Sequence, residues 1–244
     1  MNKINKRYIA LSGIAIGALI TLILFLNLIS SLVQYRQATK EYTQLKEEAV
    51  TTTESSTKPL TIYQGTATAE IVQSINKDAV TYALPDITVD FNSLIAANSD
   101  CIGWIYIPGT RINYPIVKSS DNIDYVKSTF TGKENLAGCI FSDCRVLSPF
   151  SQKTLLYGHN MKNGSMFHDL FAIEMEPSKY PDVWVYLTNG ALYHYAITDV
   201  IRTDMLDKDI YSISANYSDE LVLSTCIKNE TRLVVKAVRD WYKF

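Results

Sequence analysis

The sequence predicts a mostly β fold: an eight-stranded, closed or nearly closed β-barrel with short helices, preceded by an N-terminal transmembrane helix. Three observations predict it. Between Ile102 and Arg239, eight short runs carry the apolar–polar alternation or the compact apolar character of strands. Proline, glycine, asparagine and aspartate punctuate these runs, and only brief helical inserts intervene, which is the pattern of an all-β barrel. Ahead of them, an almost uninterrupted apolar run extends from Tyr8 to Val33. A helix needs roughly 20 such residues to cross a hydrocarbon core.

In chain order, Lys3, Lys6 and Arg7 precede the apolar run and are expected to stay cytoplasmic, which puts everything after Gln34 outside. A cleaved signal peptide is the competing reading. Its apolar region is shorter, roughly 7–15 residues, and ends at a small-residue site that Leu24–Ile29 does not offer. Residues 1–33 are therefore expected to form a cytoplasmic tip and membrane anchor. Residues 34–84 are expected to form an extracellular stalk, linker and N-terminal helix. Within them, 34–50 reads as a polar helical stalk, and the Thr/Ser-rich stretch Thr51–Pro59 as linker, because it has little apolar surface to bury. Ile71, Ile75 and Val80 can line a helix within 62–83.

Residues 85–244 are expected to form the barrel. Asp90 is a candidate N-cap for a short helix beginning at Phe91. The strands are expected at Ile102–Ile107, Ile112–Val117, Gly138–Ser142, Lys153–Tyr157, Val183–Leu187, Leu192–Asp199, Leu221–Cys226 and Arg232–Arg239, with helical inserts at Asn122–Lys127 and Met166–Ala172.

Composition narrows the function. Charged residues are 20% of the 244-residue chain and the net charge is −2, so there is no basic stripe of the kind nucleic acid requires. Four cysteines and three histidines are scattered without metal-ligand spacing, so neither a metal site nor a cofactor is expected. Cys101, Cys139 and Cys144 read as small packing residues, with a Cys139–Cys144 disulfide as the alternative in an oxidising compartment.

The chemistry centres on two stretches. Leu221–Cys226 and Arg232–Val235 read as two strands joined by a tight connection, the first ending on a thiol and the second beginning on a guanidinium. A thiol beside a fixed cation can be held as thiolate, its nucleophilic form. Upstream, Tyr157-Gly158-His159-Asn160 places a histidine just past another apolar strand. A cysteine and a histidine far apart in sequence, each at a strand terminus, are the layout of cysteine acyl transfer. His168 and His194 are rivals that sit at no strand terminus, and Arg239 lies too far along its strand to face Cys226. Asn160 and Asp169 either orient the imidazole or serve the structure.

At these residues the chain resembles the sortases, specifically class B. The resemblance runs from about Asp86 to Arg239. It rests on Leu223-Ser224-Thr225-Cys226 with Arg232-Leu233-Val234-Val235, on Tyr157-Gly158-His159-Asn160-Met161, and on Gly103-Trp104-Ile105, Pro108-Gly109-Thr110, Tyr114-Pro115-Ile116-Val117 and Gly164-Ser165-Met166-Phe167. It implies an eight-stranded barrel and a transpeptidase. Cys226 is then the nucleophile that forms a thioester, His159 the acid and base, and Arg232 the oxyanion or substrate clamp.

It also implies that Tyr157, Ser224, Thr225, Asn122 and Val126 lie along the substrate groove. The implied partners are surface or pilin proteins bearing a sorting signal, and an amine acceptor, either a pilin lysine or a peptidoglycan cross-bridge. Three departures stand out. Ile227 follows the cysteine where class B often has a polar or acidic residue. The Cys226–Arg232 connection is short. The segment 202–220 is too short for the long helix that usually precedes the cysteine strand. A cysteine peptidase with water as acceptor, and a non-catalytic surface-binding module, are the readings from other classes.

Of the four cysteines, Cys226 alone is expected to be required. Cys226→Ala should abolish peptide cleavage, whereas folded Cys101→Ala, Cys139→Ala and Cys144→Ser retain it; a cleavage assay on the four variants checks this.

Overall fold

The computed structural model describes residues 3–52, 84–213, 219–228 and 230–243. One continuous helix, α1 (Lys3–Ala49), opens the chain and is long and apolar enough to cross a membrane. The expected anchor and stalk are thus a single rod. Its second half is not a free stalk. Ala38, Tyr42, Leu45 and Ala49 are buried, and their spacing of three and four residues puts them on one face of the helix, which packs on the barrel. The Tyr42 hydroxyl donates to the Gly138 carbonyl at 2.5 Å, and its ring meets Tyr114 edge-on at 5.5 Å. The Thr131 amide donates to Glu41 Oε1 at 3.0 Å.

At the top of this seam, β1 (Val50–Thr52) pairs antiparallel with β2 (Ile87–Val89). Thr51 and Thr52, expected as linker, are therefore strand residues. The rest of that linker and the helix expected within 62–83 lie outside the described residues. The Asp90 amide donates to the Ala49 carbonyl at 2.7 Å, closing the seam. Asp90 also caps α2 (Phe91–Ala97) as expected, its carboxylate accepting from the Asn92 amide at 2.9 Å.

The barrel follows from eight strands: β3 (Cys101–Tyr106), β4 (Asn113–Val117), β5 (Ile140–Ser142), β6 (Thr154–Tyr157), β7 (Asp182–Leu187), β8 (Leu192–Asp204), β9 (Glu220–Lys228) and β10 (Thr231–Lys243). They close in the order β10-β8-β7-β3-β4-β5-β6-β9, so each strand of the barrel has a neighbour on both sides. β4–β5 and β6–β9 pair in parallel and the others antiparallel. β8 and β10 run past their expected ends as a paired ribbon. Beyond Asp199, β8 is largely solvated, and its sequence there lacks the alternation that marks a half-buried strand.

Side-chain period decides what each strand offers to each side. Leu221, Leu223, Leu233, Val235 and Leu156 turn into the main core with Trp104, Ile105 and Phe167. Val222, Val234 and Leu155 turn outward and are covered by Ile210 of a one-turn helix. Two further α-helices lie among the described residues, α3 (Leu170–Met175) and that one-turn helix, α4 (Lys208–Tyr211), whose N-cap Asp207 accepts from the Asp209 and Ile210 amides. A 3-10 turn at Asp124–Val126 stands where the first helical insert was expected.

Tyr42→Phe removes the buried donor to Gly138, and a buried carbonyl left without its partner costs about 1–3 kcal/mol. The midpoint of chemical unfolding of the detergent-solubilised chain should fall accordingly.

Candidate active site

The site is set by strand register. In the β9–β10 hairpin Arg232 stands opposite Cys226, and both belong to the outward-facing set with Val222, Ser224 and Val234. The pairing shifts between Thr231 and Arg232, a local irregularity that gives the end of the hairpin extra twist where the arginine emerges. Arg232 Nη1 lies 2.6 Å from Cys226 Sγ, so the guanidinium donates directly to the sulfur. The expected thiol–cation pair is thus formed. Cys101 and Cys139 are different: both are buried, and burial pushes their thiols up to about 11 and about 12. Cys144 is half-buried, and all four cysteines are free, so Cys139 and Cys144 form no disulfide.

The parallel β6–β9 pair delivers the histidine. Tyr157 is registered with Ser224, so His159 and Cys226 each lie two residues further along, at the same end of their strands. Gly158 makes this approach feasible. Its amide donates to the Ser224 carbonyl at 3.2 Å, and its carbonyl accepts from Thr225 Oγ1 at 2.7 Å. A Cβ there would lie 2.4 Å from Ile140 Cδ1 and 2.7 Å from Phe167 Cδ2, so a side chain does not fit. His159 Nε2 donates to the Val126 carbonyl at 2.7 Å, which leaves Nδ1 as the nitrogen able to exchange a proton.

Cys226, His159 and Arg232 line one groove of about 700 Å³. Asn122, Val126 and Tyr157 line it too. Asn122 also holds the loop after β5, its Oδ1 accepting from the Cys144 amide at 2.8 Å. Ser224 and Thr225 are corrections: both are buried rather than in the groove wall. Tyr211 covers Ser224, its hydroxyl 2.9 Å from Ser224 Oγ, while Thr225 turns inward with Leu223 to hold Gly158. The rivals are occupied elsewhere. His168 Nδ1 meets Asn160 Oδ1 at 2.7 Å, and Asp169 binds Arg111, so neither Asn160 nor Asp169 orients His159. His194 is buried between Asp182 and Asp240, and Arg239 binds Asp219 and lies over the Tyr193 ring.

Several residues in the groove wall or directly behind it were missed. Asp143 and Arg145 form a bidentate pair at 2.9 and 2.7 Å, and Arg145 also donates to the Tyr211 carbonyl at 3.2 Å. The Tyr157 hydroxyl donates to Asp143 Oδ2 at 2.8 Å. Burial alone raises the Asp143 carboxyl, but the bonds from Arg145 and Tyr157 outweigh it and hold the group below the ordinary carboxylate range. Tyr157 stacks on Tyr211 with centroids 6.4 Å apart, and burial together with Asp143 keeps its phenol protonated. Opposite charges two residues apart just after a strand were a usable signal for Asp143 and Arg145. Met205, Leu206 and Tyr211 lie in a stretch whose pattern marks no face.

Comparison with known proteins agrees with this fold. The sortase domain family matches residues 105–240, more than half of the chain, and the chain belongs to that family. Its relatives are class B. Sortase B of Listeria monocytogenes is 42% identical over 96 residues, a stretch covering 38% of this chain and 39% of that protein. The chain is thus matched over about two fifths of that curated relative's length. Sortase B from Bacillus anthracis superposes with a TM-score of 0.58 at 25% identity, covering 86% of this chain and 99% of the other. A Streptococcus pyogenes class B sortase involved in pilus biogenesis superposes with a TM-score of 0.56 at 26% identity, covering 62% and 98%.

Arg232→Lys keeps the charge but loses the planar fork that reaches Cys226 from across the hairpin. Turnover should fall about a hundred- to a thousandfold, the loss typical of a removed oxyanion donor, and steady-state peptide cleavage measures it.

Proposed function

We propose that this chain is a membrane-anchored cysteine transpeptidase with its barrel outside the cell. It cleaves a C-terminal sorting signal after threonine and passes the threonyl group to an amine. The observation that carries the reading is the Arg232–Cys226 contact at 2.6 Å in a groove that also holds His159. Cys226 Sγ attacks the threonyl carbonyl carbon; the S–C bond forms, the C–N bond breaks, and His159 Nδ1 gives a proton to the leaving amine. The acceptor amine then attacks the thioester, the S–C bond breaks, and His159 takes the proton back. Arg232 supports the thiolate first and the developing oxyanion next. The apolar α1, with Lys3, Lys6 and Arg7 before its apolar run, supports the anchor and its orientation.

Among amines, a lysine on a folded pilin-like protein is favoured over a peptidoglycan cross-bridge. Between β8 and β9 the described residues form only the one-turn α4, with Met205 and Leu206 exposed at the rim, so the described part of the wall beside Cys226 is a single helical turn. A short wall of this kind favours a bulky acceptor. The pilus role of the Streptococcus pyogenes relative supports the same choice.

The test incubates the chain with a library of sorting-signal peptides and two acceptors, a folded pilin-like domain and a short cross-bridge peptide. Amine-dependent product carrying threonine at the junction is expected, formed more efficiently on the folded domain. Transfer to the cross-bridge peptide alone overturns the pilin choice, and hydrolysis indifferent to amines makes the protein a peptidase.

A further inference from the structure

The seam between α1 and the barrel begins at the end of the apolar run, not beyond it. Leu32 and Val33 are exposed, and one residue later Gln34 is held twice: its carbonyl accepts from Asn135 Nδ2 at 2.9 Å, and its Oε1 accepts from the Leu136 amide at 3.1 Å. The remaining contacts climb α1 away from the apolar run. Thr39 Oγ1 meets Asn163 Nδ2 at 3.4 Å, Glu41 holds Thr131 and pairs with Lys133 at 3.7 Å, Tyr42 reaches Gly138, and Ala49 reaches Asp90. The turn at Asn135–Leu136 is therefore the part of the barrel bonded lowest on the helix. α1 is unbroken through this region, so each residue adds about 1.5 Å along its axis. Gln34 and its partners thus lie within roughly one helical turn, about 5 Å, of the last apolar residue. The headgroup layer on each side of a bilayer is of that order, about 5–8 Å thick.

We infer that the turn around Asn135 and Leu136 is a lipid-contact site, at which the barrel rests on the phospholipid headgroups of the membrane that α1 crosses. The inference rests on the anchor proposed above. The chemistry of the turn fits that place. Leu136 is an apolar side chain left 40% exposed beside the last apolar residues of the anchor. Arg36 is exposed one half-turn above Gln34, and Lys133, 74% exposed, stands higher on the same loop. Apolar tips at the acyl boundary with cations above them match the layering of an anionic lipid surface.

The turn also adjoins the site. The Asn135 amide donates to the Lys127 carbonyl at 2.7 Å, next to Val126, whose carbonyl holds His159. The groove is thereby held at a set height above the membrane rather than on a flexible tether.

The test uses the full chain in a Cys226→Ala, Cys144→Ser background, reconstituted into vesicles of phosphatidylcholine and phosphatidylglycerol. Cys101 and Cys139 remain but are buried, so one exposed cysteine at Leu136→Cys, Lys133→Cys or Lys46→Cys carries the fluorophore, and a fraction of the lipid carries a headgroup nitroxide quencher. Lys46 lies roughly 18 Å further along α1 than Gln34. The Leu136 probe should lose most of its emission, the Lys133 probe less, and the Lys46 probe little. Vesicle flotation of each labelled chain separates the two readings. A chain that floats while its Leu136 and Lys133 probes are quenched no more than the Lys46 probe overturns the lipid contact and leaves the anchor standing. A chain that does not float overturns the anchor, and the contact with it.

Discussion

The contact between Arg232 and Cys226 exists only because β9 and β10 are paired in one register. A slip of one residue would turn the arginine to the barrel interior and replace it with Leu233 or Thr231. That register is pinned by burial on both faces. Leu221, Leu223, Leu233 and Val235 fill the interior, while Val222 and Val234 close a second apolar layer under Ile210. The thiol–guanidinium pair is thus a consequence of core packing several residues away, and no loop has to order itself to make it.

The other half of the site hangs on the same strand. β6 lies parallel to β9, and Gly158 is clamped by Ser224 and Thr225, so the backbone that leads into His159 is bonded to the backbone that leads into Cys226. The imidazole is then fixed by the Val126 carbonyl, and Val126 is itself braced. Gly138 approaches so closely that a Cβ would lie 2.7 Å from the Val126 and Tyr125 oxygens, and its carbonyl receives Tyr42 of α1. An unbroken line of contacts therefore joins the apolar N-terminal helix to the proposed base. Barrel and helix share one set of hydrogen bonds, while the groove itself is lined by residues of the barrel strands and their loops.

Much of this was legible in the chain. All eight barrel strands were placed from alternation and punctuation, and the thiol, histidine and guanidinium were singled out at strand ends. What escaped has physical reasons. The stripe Ala38, Tyr42, Leu45 and Ala49 is embedded in charged residues, so the segment looked like a solvated stalk although its spacing is that of a buried face. Thr51 and Thr52 gain strand structure from Thr88 and Ile87, more than thirty residues away, which no local pattern reports. Ser224 shares its face with Cys226 and so appeared to belong in the groove, but Tyr211 arrives from another element to cover it. Period two tells which residues share a side; it does not tell what lies on top of them.

The central claim is that Cys226, held by Arg232 and served by His159, carries the acyl group of a threonine-terminated peptide. Intact-protein mass spectrometry of the chain, quenched in acid after mixing with sorting-signal peptides and no amine, tests it most directly. The account predicts one added peptide mass ending at threonine, located on Cys226 by peptide mapping and released by hydroxylamine. An adduct on another residue, or peptide cleavage with no thioester on Cys226, would contradict it.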